Sequence, residues 1–229
     1  MVSITLADLL RETLAVDCDE VWENEHTPTP VRVFRVRLHS MGLSLREIVT
    51  VFGWLGVDRS HGAVWNWTHK LSETQADPPT AQPSRVAVDE KQIEVDGENK
   101  CLYAAIDTEP KLLLEIDVFS RRGTDLAATF VHRLTEKHDV SDAEFLVDGM
   151  GYLTALARRE LSGQLNYRER NCIEKWFQTV SMRIDRFHSF WRGSPASARR
   201  WLRQFRYYYN YDRPNQALDG RTPAEEVLT

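Results

Sequence analysis

"VAVDEKQIEVDGENKCLYAAID", residues 86–107, decides the fold. Two runs of alternating and small apolar residues flank Asp96 and Gly97, a pair suited to the left-handed backbone of a tight hairpin turn. KLLLEIDVFS (111–120) follows the Glu109–Pro110 break as a third strand, so the stretch predicts an antiparallel meander. Beyond it the pattern changes. TDLAATFVHRLTEKH (124–138) predicts a capped helix, AEFLVDG (143–149) a short apolar strand, GYLTALARREL (151–161) another helix and QLNY (164–167) a brief strand. In NCIEKWFQTV (171–180), Ile173, Trp176, Phe177 and Val180 recur at helical spacing, and Ile184 extends the stripe. This order of elements predicts an α/β class: a mixed sheet flanked by helices.

Upstream the periodicity is helical throughout. VRVFRVRLHSMG (31–42), LSLREIVTVFGWLG (43–56) and RSHGAVWNWTHKLSE (59–73) predict three short helices. Gly42 stops the first, Ser44 caps the second with Glu47 three residues on, and Gly56 and Asp58 precede the third. Three short helices with a tight turn before the last describe an all-α helix-turn-helix domain over 31–71. Ala63, Val64, Trp67 and Leu71 can face its core, which leaves Arg59, Ser60, His61, Asn66, His69 and Lys70 available for phosphates and base edges. Three packed helices with a polar exterior are the plainer alternative. SETQADPPTAQPSR (72–85), with three prolines, predicts a linker, and residues 1–30 an acidic arm. The second domain is then 86–229.

The chain of 229 residues is 42% apolar and 10% aromatic, ordinary globular composition. No apolar run approaches a membrane span, and the N-terminus lacks the basic start and apolar stretch of a signal peptide, so an intracellular protein without membrane contact is expected. Three dispersed cysteines form no CxxC pair, which leaves reduced thiols as the default. The net charge of −5 weighs against nucleic-acid binding, but it is unevenly spread: residues 150–229 hold 14 basic and 8 acidic groups. There the helix ASARRWLRQFRYYYN (196–210) sets Arg203 and Arg206 beside a broad aromatic face, as candidate DNA contacts. Solvated helix faces would explain the same charges.

Three acids stand out in this order of elements. Asp89 falls in the first strand and Asp148 at the exit of the fourth, where ligand sites of α/β sheets gather. Glu174 approaches the same edge from a helix that packs through its apolar stripe. Converging carboxylates repel one another unless a hard cation such as magnesium takes their oxygens. Other readings stand beside this one. Asp148 with Gly149 can terminate a strand, Asp89 can face solvent, and Glu174 can pair with Arg170 or Gln178. Asp107, Glu115 and Asp117 are competing acids.

The motifs VAVDE, LYAAID, LVDGMGY and RNCIEKWF, in this order behind three helices, resemble the DDE transposases of bacterial and archaeal insertion sequences. The likeness is to the IS-six family, particularly its versions from halophilic archaea, and it covers about Val31 to the end. YYYNYDRPNQALDGRTPAEEV also resembles the end of integrase-type catalytic cores. The resemblance implies a ribonuclease H-like (retroviral-integrase-like) core with Asp89, Asp148 and Glu174 as catalytic, metal-holding acids. It implies two magnesium or manganese ions per site, binding of terminal inverted repeats, cleavage, and strand transfer to target DNA. A homodimer or larger assembly in the nucleoid of the cytoplasm follows from the same likeness. A transposase-derived DNA-binding protein without catalysis, and a ribonuclease H-like nuclease that does not join strands, are the alternatives. The interval from Asp148 to Glu174 is shorter than in typical members. Many of them also carry a lysine or arginine seven residues after the glutamate, at DNA; here that position is Ser181, with Lys175, Gln178 and Arg183 as candidate substitutes.

Overall fold

A computed structural model describes residues 10, 26–166, 171–187, 191 and 193–229, without the side chains of 171, 172 and 183–187. Most of the expected acidic arm and the side chain of Arg183 lie outside the described residues. The chain divides into two units, Met1–Gln75 and Ala76–Thr229.

The first unit is built on helices α1 (Thr29–Met41), α2 (Leu45–Trp54) and α3 (His61–Thr74). Pro30 opens α1, and Gly42 ends it with φ 120°, a conformation that favours glycine. Ser44 and Glu47 cap α2 reciprocally, at 2.7 and 3.2 Å, as their spacing predicts. Ser60 caps α3 by accepting from the Ala63 N–H. Val36, Ile48, Phe52, Val64, Trp67 and Leu71 close the core.

Arg35 is completely buried in that core. Its Nη2 donates to the Val57 carbonyl at 2.7 Å, and the guanidinium stands 4.2 Å from the Phe52 ring centroid and 5.6 Å from that of Trp67. The planar cation thus ties α1 to the turn before α3 through one hydrogen bond and two π faces. Burial pulls its pKa down to about 10, which leaves it charged at neutral pH.

The second unit holds a five-stranded sheet in the order β3-β2-β1-β4-β5. Strands β1 (Arg85–Val95) and β2 (Glu98–Asp107) form the predicted hairpin, with Asp96 at φ 54° and Gly97 at φ 80° in the turn. Strand β3 (Leu113–Phe119) is antiparallel to β2, whereas β4 (Glu144–Val147) is parallel to β1 and β5 (Ser162–Leu165) parallel to β4. Strand β2 alone runs against the rest. A meander continued by two crossovers, with one reversed strand, is a ribonuclease H-like sheet.

Side chains of one sheet face, Val86, Val88, Tyr103, Ala105, Phe145 and Val147, pack on α4 (Thr124–Lys137) and α5 (Met150–Ala157). The alternate residues of β1 and β2 turn toward α6 (Asn171–Phe187), and β3 meets α7 (Pro195–Tyr207). An aromatic seam joins those two helices: the Trp176 and Phe205 centroids are 6.4 Å apart, and Trp201 stacks on Phe205 at 5.4 Å. Each such buried ring contributes about 2–3 kcal/mol of apolar burial. A π-helical turn (Tyr208–Asp212), a 3-10 turn (Gln216–Leu218) and α8 (Pro223–Leu228) complete the described chain. Among the described residues no helix is long and apolar enough to cross a membrane.

The structure departs from the sequence expectation in several places. Within the expected linker, α3 runs on to Thr74, and Ala81 is buried in the second unit. The Ala81 carbonyl accepts from the Asp139 N–H at 3.1 Å, while its own N–H meets His138 Nδ1 at 3.3 Å. Helix α4 starts from Gly123 without a side-chain cap. Strand β5 begins at Ser162, two residues earlier than QLNY, and a Cβ on Gly163 would stand 2.5 Å from Leu156 Cδ1. The glycine lets α5 close onto β5.

Two buried groups give the units opposite pH responses. His39, on α1, donates through Nδ1 to the Leu43 carbonyl, and burial lowers its pKa to about 4. Its folded pKa lies below the unfolded one, so the neutral ring contributes stability that is present above about pH 6.5 and lost as pH falls toward 4. Asp107 is buried at the end of β2, which pushes its pKa up to about 6. Its contribution is present below about pH 4 and lost as pH rises through 6. Each shift corresponds to up to about 3 kcal/mol. In urea titrations of the full chain, His39→Gln should remove an acid-side decline and Asp107→Asn a decline on the neutral side. Midpoints with unchanged pH dependence in both variants would count against these assignments.

Candidate functional site

The ladder between β1 and β4 runs only from Arg85–Glu144 to Ala87–Leu146. Past Ala87 the β4 side of β1 opens as a notch, and Asp148, the first residue after β4, emerges into it. Asp89 lies on β1 at the same level. The carboxylate oxygens of Asp89, Glu90 and Asp148 come within 4.8 Å of one another, and all three residues are partly exposed.

Glu90 is the member that sequence reasoning missed. Strand alternation sends Asp89 and Glu90 to opposite faces, but at an open notch a long side chain can bend around the strand. Its carboxylate accepts from the Tyr152 hydroxyl, and Arg122 Nε stands 3.1 Å from Oε1. Burial, and then the Glu90 charge, holds the Tyr152 phenol well above its usual range, so it remains a hydrogen-bond donor. Tyr152 follows Asp148 by four residues, one turn into α5, which is the signal that could have found it. Asp89 Oδ1 accepts from the Glu90 N–H at 2.8 Å.

Three carboxylates beside one guanidinium concentrate negative charge. An all-oxygen donor set of this kind fits a hard divalent cation such as magnesium or manganese.

Helix α6 crosses β1 on the face that carries Asp89. Lys91, two residues further on that face, donates to Ser181 Oγ on α6. Glu174 occupies the exposed first turn of the same helix, outside the set formed by Asp89, Glu90 and Asp148. The structure therefore brings two of the three expected acids together and adds Glu90 to them. The competing acids have other partners: Asp117 binds Arg133 and, at 2.7 Å, Arg199, while Glu115 meets Lys137 at 2.6 Å.

The expected DNA contacts separate by burial. His61, Asn66 and Lys70 are exposed along α3, as are Lys175 and Gln178 on α6 and Arg203 on α7. Ser60 is engaged as a cap, and Arg59 donates to Thr27 Oγ1 and to the Asp58 carbonyl, both at 2.7 Å. Arg206 corrects the sequence expectation, because it is only 4% exposed and held between Glu115 and Asp77. Helical spacing explains it: residue 206 continues the buried stripe of Ala198, Trp201, Leu202 and Phe205.

No protein-family model matches the chain, and no curated protein matches it. Among solved structures, a simian T-cell lymphotropic virus intasome in complex with PP2A regulatory subunit B56 gamma is similar over 84% of this chain and 73% of that chain, at 10% identity and a TM-score of 0.49. The HTLV-2 integrase catalytic core domain in complex with magnesium matches in a trimeric form over 66% of this chain and 99% of that one, at 8% identity and a TM-score of 0.46. Its dimeric form matches over 65% and 97%, at 8% identity and a TM-score of 0.42.

Proposed function

We propose that the chain is a metal-dependent DNA transposase of the insertion-sequence type, akin to the IS-six family, which binds terminal inverted repeats and performs cleavage and strand transfer. The observation that carries this reading is the meeting of Asp89 and Asp148 in the notch where the β1–β4 ladder ends. Magnesium or manganese bound there would activate a hydroxyl for attack on a phosphodiester and stabilise the departing oxygen. Asp89, within β1, and Asp148, directly after β4, would supply oxygen ligands. Tyr152 and Arg122 hold the Glu90 carboxylate against them, and Glu174 on α6 would be the further ligand. Lys91, its ammonium seated on Ser181, sets a positive charge on the reacting face of β1, where it would meet a DNA phosphate. This supports a strand-derived substitute for the basic residue that the resemblance expects on the helix. The exposed face of α3 would contact the repeats as a helix-turn-helix, and the chain would act in the nucleoid as a dimer or larger assembly.

The test is a strand-transfer assay with labelled terminal repeats, magnesium or manganese, and high salt. Joined products are expected from the wild-type chain. Because Glu174 stands outside the acid set, the second reading is a transposase-derived DNA-binding protein; specific binding without nicking or joining would select it. Nicked products without joining would indicate a nuclease instead.

A further inference from the structure

A cleft of about 800 Å³ opens in the second unit, lined from the start of β1 and the β2–β3 turn as far as Leu146 on β4. Arg85, Lys111, Lys175 and Arg213 line it from four parts of the chain: the start of β1, the β2–β3 turn, α6 and the segment after the π-helical turn. Glu109 is the one carboxylate among its described lining residues, and it accepts a hydrogen bond from Ser84 at 2.8 Å. Four cations against one anion concentrate positive potential in a concave wall of a chain whose net charge is −5.

The cations are only partly engaged. Arg85 stands 3.7 Å from Glu144 at the rim. Lys111 donates to the Thr108 carbonyl, and the Arg213 guanidinium lies over the Tyr209 ring at 5.6 Å. Neither Lys111 nor Arg213 forms an ion pair with a carboxylate among the described residues, although the Lys111 charge is felt by Asp107. Lys111 also holds φ 60°, a left-handed conformation that strains a non-glycine residue. On the α6 wall, the buried Trp176 indole N–H has no hydrogen-bond acceptor among the described residues.

Two elements that line the cleft, β4 and α6, also lead to the acids. Lys175 follows Glu174 directly, and Leu146 precedes Asp148 by two residues, about 7 Å of strand. Side-chain cations spread along an open cleft suit a chain of phosphates better than one compact anion, which is usually gripped by convergent backbone N–H groups. We infer that this cleft binds the phosphodiester backbone of a DNA strand running to or from the acidic notch. The inference rests on the transposase reading and adds to it the path of the substrate strand on one side of the reacting bond.

Equilibrium binding of a fluorescein-labelled mixed-sequence duplex to the full chain, across a salt series, tests it. Lys111→Gln/Arg213→Gln removes two cleft cations. Lys100→Gln/Arg158→Gln removes two cations that sit beside Glu98 and Asp125 elsewhere on the second unit. The cleft variant should weaken binding roughly tenfold to a hundredfold and reduce the slope of log K against log salt by about two units, with the control pair nearly unchanged. An unchanged slope in the cleft variant, or an equal fall in both pairs, overturns the inference. Lys111→Glu alone, at a partly exposed turn, gives the same readout if the double variant fails to fold. A strand-transfer assay on the wild-type chain separates the two readings. Joining with an unchanged slope removes only the cleft, whereas a reduced slope without nicking or joining leaves the DNA site and removes the catalytic reading.

Discussion

Asp148→Asn should abolish metal-dependent nicking and strand transfer, by at least roughly a thousandfold, while leaving binding of the terminal repeats intact. Asparagine keeps the shape of the side chain and one oxygen, so the notch should remain folded. What it removes is the negative charge that makes the site fit a divalent cation. Asp148 is the first residue after β4 and has no second strand residue to replace it, whereas Glu90 is already held by Tyr152 and Arg122. Glu174→Gln should fail as completely as Asp148→Asn if α6 delivers the further ligand. Glu90→Gln should cost only about ten- to a hundredfold, the scale expected of a group that orients a ligand. The reverse ranking would make Glu90 the ligand and Glu174 a surface residue of α6. Substantial joining by Asp148→Asn would sink the metal-site assignment altogether.

Glu115→Gln should destabilise the second unit by about 3–5 kcal/mol, through a different part of the sheet. Glu115 and Arg206 are each 4% exposed, with Nη1 and Oε1 3.5 Å apart. Lys137 reaches the other carboxylate oxygen at 2.6 Å, and Arg206 also binds Asp77 in the segment that precedes β1. Removing the Glu115 charge leaves a buried guanidinium with only the more exposed Asp77 to compensate it. A loss of this size corresponds to a fall in Tm of roughly 10 °C for a chain of this length. Glu115→Leu/Arg206→Met removes both charges, so it should recover most of the loss. Thermal unfolding of the two variants is the measurement, and a Glu115→Gln chain that melts with the wild type would show that the pair carries no net stability.

These two results probe residues that differ in how far the sequence announces them. The hairpin at Asp96–Gly97, the Ser44–Glu47 capping box, the stop at Gly42 and the buried stripe of α6 depend on neighbours within a few residues. Local backbone preference and helical or strand period determine them, so they can be read along the chain. The order of strands and helices follows from the same local signals, and with it the α/β class. Asp89 and Asp148 could be placed at strand positions for that reason.

What surrounds those acids depends on contacts between distant parts of the chain. The notch exists because the β1–β4 ladder ends at Ala87, a register that no local pattern encodes. Glu90 meets Tyr152 across 62 positions, Lys91 meets Ser181 across 90 and Arg206 meets Glu115 across 91. By itself, the sequence determined the elements, their order and the candidate acids they carry. The tertiary structure alone decided which charges are buried in pairs and which carboxylates share a site. Periodicity specifies the face a side chain occupies, whereas its partner depends on which distant elements pack against that face.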